Sequence, residues 1–187
     1  MKNVMIVGVG GQGTLLTSRI IGKTALSLGY DVKISEVHGM AQRGGSVVTF
    51  VRYGKNVSEP VVEEGCADVI IAFEKVEALR YAHYLKKDGV IVVNDCRIDP
   101  MTVVTGAFSY PENVIETLKK EHIVDLIDAH SIAKELNNSK VVNSVVLGFS
   151  AKHLDLDIET LIKTLELTVP QKTVEVNLKA FNLGYEF

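Results

Sequence analysis

Apolar residues in this chain fall into short runs of strand length, separated by glycine, asparagine and charged turns. Residues 4–7 (V-M-I-V) are the first such run and predict a strand. A glycine-rich turn over 8–13 follows, and then a helix over 14–28. Leu15, Leu16, Ile20, Ile21, Ala25 and Leu26 form no clean stripe there, so the helix is read from its setting. Residues 31–37 predict a second strand and 47–53 a third. Gly54-Lys55-Asn56 predicts a turn into 57–62, which makes the last two runs a hairpin. Residues 68–73 and 90–94 read as strands buried on both faces, with a helix over 74–86 between them. Residues 102–110 predict a strand, Pro111 the first residue of a helix ending at Lys120, and 123–128 a further strand. Beyond that the period is helical: Val141, Val142, Val145, Val146 and Phe149 follow it, as do Ile158, Leu161, Ile162 and Leu165. Thr168 and Pro170 signal a last helix continued by Val174, Leu178 and Phe181.

Strands alternating with helices predict an α/β fold: three layers, α/β/α, around a Rossmann-like, mostly parallel sheet. The hairpin makes that sheet mixed, and the helical C-terminal segment packs on one face. No repeat, linker or low-complexity stretch interrupts the pattern, so residues 1–187 read as one domain. Area scaling gives a chain of this size about 70% burial on folding, which needs no disulfide or metal staple.

Composition narrows the function by exclusion. Apolar residues make up 47% of the chain, yet no apolar run approaches the length of a membrane span. Lys and Arg total 20 against 23 Asp and Glu, and no basic block exists, which argues against a nucleic-acid binder. Residues 1–65 carry 7 basic and 5 acidic side chains, so an anion is best sought in the first third. The only cysteines, Cys66 and Cys96, form no C-x-x-C and are too few for a four-thiolate zinc or iron–sulfur site. The amino end runs directly into a strand with no signal-peptide pattern, so a cytoplasmic setting is expected.

Two glycine loops carry the candidate chemistry. The first, Gly8-Val9-Gly10-Gly11-Gln12-Gly13, contains G-x-G-x-x-G between a predicted strand and a predicted helix. Such a turn lets a ligand approach the backbone closely, and the helix amino end offers free N–H groups and a positive dipole to an anion. A dinucleotide site also wants an acidic residue at the end of the second strand, where Glu36 is the one candidate. The second loop, His38-Gly39-Met40-Ala41-Gln42-Arg43-Gly44-Gly45, puts a guanidinium among glycines, which suits a phosphate or carboxylate. The competing reading of both loops is a tight turn and a surface connector without a ligand.

Other residues are weaker candidates. His83, His122, His130 and His153 lie in or at the ends of predicted helices, where surface roles are commoner. Glu74 reads as a helix-start carboxylate, Asp95 as a turn former, and Asn143, inside an apolar helix, as a residue bonding a neighbour or facing a partner. Ser18 and Ser46 have no base at readable spacing.

Taken together, G-V-G-G-Q-G at 8–13 and S-E-V-H-G-M-A-Q-R-G-G-S-V-V at 35–48 resemble the gamma-type domain of the 2-oxoacid:ferredoxin oxidoreductases, most closely its indolepyruvate branch. The likeness runs along essentially the whole chain. It implies that a larger alpha-type partner subunit holds thiamine diphosphate, magnesium and iron–sulfur clusters. That partner would decarboxylate an arylpyruvate, pass electrons to ferredoxin and release an aryl-acetyl coenzyme A. The chain itself has no thiamine motif, since Lys87-Asp88-Gly89 does not qualify. On that division of labour the glycine loops are expected either to face the partner's active site and help hold coenzyme A or the substrate carboxylate, or to make only the subunit interface. Gly10, Gly11, Gln12 and Gly13 would supply N–H groups, Arg43 charge, and Gln42 and His38 orientation, with Gly8, Gly44, Gly45 and Glu36 completing the site. No cofactor is expected on this chain alone, and an isolated chain with its partner surface bare is expected to form a homodimer. Three alternatives remain at this point: a stand-alone nicotinamide- or flavin-dependent oxidoreductase, an adenylating enzyme, and a non-catalytic scaffold whose loops make only contacts.

Overall fold

The apolar runs are strands of one sheet, covered by helices on both faces. The computed structural model describes residues 1–38 and 45–187, of His38 the backbone alone. Its strands are β1 (Lys2–Val9), β2 (Asp31–His38), β3 (Ser46–Gly54), β4 (Ala67–Ala72), β5 (Leu85–Asn94) and β6 (Ile123–Ile127), in the order β2-β3-β1-β4-β5-β6. The pairings β1–β4, β4–β5 and β5–β6 are parallel. β3 is antiparallel to both β1 and β2, and it alone of these strands is reversed. The α/β fold with a mixed, mostly parallel sheet is therefore as expected, but the antiparallel element arises differently.

The expected hairpin of 47–53 with 57–62 does not form. β3 pairs instead with the strand before it, from Asp31↔Gly54 to His38↔Val47, and with β1 on its other side. Residues 55–60 run without regular structure, held by side chains. The Asp31 carboxylate accepts the Val57 N–H at 2.9 Å, and Arg52 Nη1 donates to the carbonyls of Glu59 and Val61 at 3.0 and 2.8 Å.

Eight helices complete the layers: α1 (Thr14–Ser27), α2 (Lys75–Tyr81), α3 (Met101–Val104), α4 (Val114–Lys119), α5 (Ala129–Glu135), α6 (Val142–Ser150), α7 (Ile158–Thr168) and α8 (Val174–Glu186). Residue parity divides the sheet. Val4, Ile6, Val69, Ile71 and Val92 face a core with Ile20 and Ile21 of α1, Val145 and Val146 of α6, Leu161 and Leu165 of α7, and Phe181 of α8. Met5, Val7, Ile70, Ile91 and Val93 face a smaller core with Ala78 of α2 and Val114 and Leu118 of α4. α6 and α8 touch backbone to backbone. A Cβ on Gly148 would lie 2.0 Å from the Phe181 carbonyl oxygen, so only glycine fits there.

Three further expectations fail locally. Residues 102–110 are not a strand. Pro100 caps the short α3, Val104 N–H donates to the Pro100 carbonyl at 3.0 Å, and Gly106 at φ +75° turns the chain away. The β-branched run Thr102-Val103-Val104 looked like a strand, yet the sheet ends at β6 and gives it no neighbour. Met101, Val104 and Phe108 are left exposed. Pro111 precedes α4 without starting it, because Asn113 in the left-handed region is the residue that caps it. The helix expected over 74–86 stops at Tyr81, continues as a 3₁₀ turn over Ala82–Tyr84, and gives way to β5 five residues before the run at 90–94.

Candidate functional site

The glycine turn sits at the carboxyl end of β1, beside the point where the sheet's connections change direction between β1 and β4, the usual ligand edge of such folds. Gly11 and Gly13 have φ +101° and +88°, a region that disfavours any side chain. Gly13 is also pressed by Asn143, which lies 3.1 Å from where a Cβ would be. Gly8 is the inward end of the turn, in β1 opposite Val47.

Two loop N–H groups are used internally. Gly10 donates to the Gly45 carbonyl at 3.0 Å, joining the first glycine loop to the end of the second, and Gln12 donates to the Val9 carbonyl at 3.2 Å. The amino end of α1 is different. Gly13 caps it without any side-chain hydrogen bond, its first turn holds no acidic residue, and its first backbone bond runs from Thr17 to the Gly13 carbonyl. The N–H groups of Thr14, Leu15 and Leu16 therefore have no partner within the helix, at the positive end of its dipole.

Side-chain amides stitch this edge together. Gln12 Oε1 accepts the Val9 N–H at 2.7 Å, and its Nε2 donates to the Phe73 carbonyl at the end of β4 at 3.0 Å. Asn94, fully buried at the end of β5, donates from Nδ2 to the same carbonyl at 3.2 Å and accepts the Ala129 N–H at 3.1 Å. Its Nδ2 also faces His130 Nδ1 at 3.3 Å. Because the Ala129 and Phe73 bonds fix which amide atom is which, His130 Nδ1 accepts, and the neutral ring carries its proton on Nε2.

Just after β4, Glu74 is buried and caps α2 by accepting the Glu77 N–H at 2.9 Å, the helix-start role expected of it. It also accepts from Tyr110 at 2.6 Å and from the Ile98 N–H at 3.3 Å. Burial and the Glu74 carboxylate push the Tyr110 phenol up, and burial pushes the neighbouring Cys96 thiol up. Arg97 lies 4.3 Å over the Tyr110 ring. Asp95 pairs with Lys75 at 2.8 Å.

Two clefts flank the start of α1. One, of about 510 Å³, is lined by Gly10, Gly11, Gly13, Thr14, Leu15, Arg19, Glu36 and Val47 among others. The other, of about 430 Å³, lies between the turn and the start of α6 and includes Gln12, His130, Lys140 and Asn143. Glu36 thus shares a cleft with the glycine turn, although β3 lies between its strand and β1 and its register partner is Thr49. The sequence-predicted residues Gln42, Arg43 and Gly44 lie outside the described residues, as does the His38 side chain; Gly45 is present as the carbonyl that holds Gly10. Arg19 and Lys140 were missed, and His130 was read as a helix-end residue with a surface role. They are exposed helix-end and helix-face residues scattered over more than a hundred positions, with no spacing that marks them. Among the described residues, no three His, Cys, Asp or Glu side chains are grouped so as to hold a metal, and no helix is long and apolar enough to cross a membrane.

A family model described as pyruvate ferredoxin/flavodoxin oxidoreductase matches residues 3–187. The chain belongs to that family. It is 42% identical over 190 residues to indolepyruvate oxidoreductase subunit IorB of Thermococcus kodakarensis, covering 97% of this chain and 93% of the relative. In fold it is similar to the keto/oxoacid ferredoxin oxidoreductase gamma subunit of Geobacter sulfurreducens, with a TM-score of 0.74, 23% identity, and 100% and 97% of the two chains covered. It is also similar to part of a 2-oxoglutarate:ferredoxin oxidoreductase from Magnetococcus marinus, with a TM-score of 0.74 and 19% identity. There 99% of this chain matches 30% of the other, so the same fold recurs inside a much longer polypeptide. The resemblance read from the two glycine loops is borne out, and membership of the pyruvate ferredoxin/flavodoxin oxidoreductase family does not favour a stand-alone nicotinamide enzyme or an adenylating enzyme.

Proposed function

We propose that this chain is the small subunit of a 2-oxoacid:ferredoxin oxidoreductase of the indolepyruvate type, and that its glycine turn holds coenzyme A against a larger catalytic subunit. The near-full-length identity to an indolepyruvate oxidoreductase subunit carries the first part. The uncapped amino end of α1 beside Arg19 supports the second. In this reading the larger subunit carries thiamine diphosphate, magnesium and the iron–sulfur clusters, decarboxylates an arylpyruvate and delivers electrons to ferredoxin. Coenzyme A supplies the thiol that accepts the aryl-acetyl group.

The residues of this chain then bind and orient. The N–H groups of Gly13, Thr14, Leu15 and Leu16 face one negative group, which the helix dipole favours. Arg19, for which no hydrogen bond or ion pair is found among the described residues, adds a guanidinium suited to a phosphate fork. Glu36, on the far wall, suits a hydroxyl or amine of the same ligand. In the same proposal Arg43 supplies further charge to the ligand, and Gln42 and His38 orient it or a loop of the partner.

Arg19→Ala in the reconstituted two-subunit complex tests this. Loss of one charged hydrogen bond, about 1.5–3 kcal/mol, is expected to raise KM for coenzyme A by roughly tenfold or more, with kcat and the KM for the oxo acid unchanged. An unchanged KM for coenzyme A overturns the role of this cleft. A complex that no longer assembles makes the turn an interface instead.

A further inference from the structure

We propose that the second cleft, between the glycine turn and the start of α6, is a separate oxyanion subsite that takes the carboxylate or phosphoryl group of a small ligand through Asn143, His130 and Lys140. Asn143 is the decisive observation. It is 7% exposed, it lines the cleft, and its amide makes no hydrogen bond among the described residues. With no partner among the described residues, the amide spends its small remaining exposure on the cleft, and water or a ligand group there supplies its hydrogen bonds. Packed against Gly13, it is bonded by no neighbouring side chain, contrary to one of the two roles its place in an apolar helix suggests.

The other polar groups of the cleft converge on the same chemistry. His130 is held by Asn94 through Nδ1, so the neutral ring presents Nε2–H as a donor. Lys140 is exposed and forms no ion pair among the described residues. Its backbone N–H donates to Asn138 Oδ1 at 3.0 Å, which fixes the turn that leads into α6. The amino end of the nine-residue α6 adds the positive end of its dipole. No acidic residue lines the cleft, whereas Glu36 lines the neighbouring one. Asp128, two residues before His130 and outside the lining, accepts the N–H and hydroxyl of Ser131 at 3.0 and 2.5 Å. A cationic side chain and N–H donors with no carboxylate in the lining favour an oxyanion. Leu16, Ile98 and Val142 form an apolar wall beside them, and a volume of about 430 Å³ admits a ligand body larger than a bare ion. A carboxylate from an aryl acid and a phosphoryl group from a nucleotide-like ligand share this chemistry.

The test is a titration of the full isotope-labelled chain with phenylacetate and, separately, with pyrophosphate, followed by amide and imidazole NMR signals. Saturable shifts at Ser139–Asn143 and at the His130 ring are expected with at least one probe, and the probe that produces them names the source of the oxyanion. Asn143→Asp, which keeps the size and adds a negative charge, is expected to weaken binding at those signals at least tenfold. It should leave pyrophosphate shifts at Thr14–Arg19 unchanged. Lys140→Ala, on the surface and away from the core, is expected to weaken it about threefold and keeps the question open to test should the first variant unfold. Shifts confined to Thr14–Arg19, or binding unaltered in both variants, overturn the proposal. Because these signals are read on the chain alone, such a failure is distinct from a failure of the Arg19 kinetics in the complex.

Discussion

The carboxyl edge of the sheet treats its polar side chains in two opposite ways. From β1 to β5, Gln12 and Asn94 direct their amide groups to backbone partners, tying Val9, Phe73 and Ala129 into one continuous seam. A short distance along the same edge, Arg19, Lys140 and Asn143 bond to nothing among the described residues while lining the two clefts. The first half is closed and structural; the second is open and faces outward. The difference shows that residue type does not separate structural from functional groups here. Gln12 stands in the middle of the glycine motif and points inward, whereas Asn143 stands in an apolar helix and points into a cleft.

Breaking the closed half should produce the largest effect. Asn94→Ala leaves the Ala129 N–H buried without a partner, removes one of two donors from the Phe73 carbonyl, and opens a cavity in a fully buried position. Unmet buried groups cost about 1–3 kcal/mol each, so a loss of about 3 kcal/mol is expected, or a fall in melting temperature of about 9 °C for a domain of this size. Calorimetric unfolding checks it. A change below about 1 kcal/mol would show that the seam carries little of the fold.

How far the sequence could be read follows the same division. The buried runs, the glycine turn and α1 were legible because each is local: a continuous apolar string, a G-x-G-x-x-G and a Gly29 stop. The pairing of β2 with β3 was not, because strand register depends on distant partners and the turn at Gly54-Lys55-Asn56 offered a plausible local hairpin. The exposed stretch at 101–110 misled for a related reason. Its β-branched residues have strand propensity, but a strand must pair with another, and none of the six strands pairs with this stretch. In the site, the glycines announced themselves, while Arg19 joins the turn in one cleft, and His130 and Lys140 come together in the other, only once the chain has folded. Asn143 was visible as an anomaly, a polar residue in an apolar helix, although its bonding state was not.

A smaller effect sharpens the boundary between the two halves. Asp128 caps α5 two residues before His130, accepting from Ser131, and these hydrogen bonds hold its carboxyl below the usual carboxylate range. A carboxylate with a lowered folded value stabilises above the unfolded value, near 3.9, and loses that contribution as pH falls through the folded one. Asp128→Ala is therefore expected to cost about 1 kcal/mol at neutral pH. The gap between variant and parent should narrow as pH drops below about 4. Denaturant melts at a series of pH values follow the gap, and one that stays constant down to pH 3 would mean that the charge of Asp128 is not what holds the cap.

The smallest expected effect is the most discriminating. At an ordinary buried, hydrogen-bonded asparagine, truncation costs as much as at Asn94. At Asn143 no hydrogen bond among the described residues is lost, and the lost contacts against Gly13 are offset by the better helix propensity of alanine, worth about 0.5 kcal/mol. Asn143→Ala is therefore expected to shift stability by no more than about 0.5 kcal/mol, a melting change within about 2 °C. If ligand or partner normally meets the amide, the same variant loses that binding while keeping its fold, so stability and binding part company at one residue. A loss near 2 kcal/mol in the isolated chain would instead mean that Asn143 is bonded within the native fold, and the open half of the edge would close up to resemble the other.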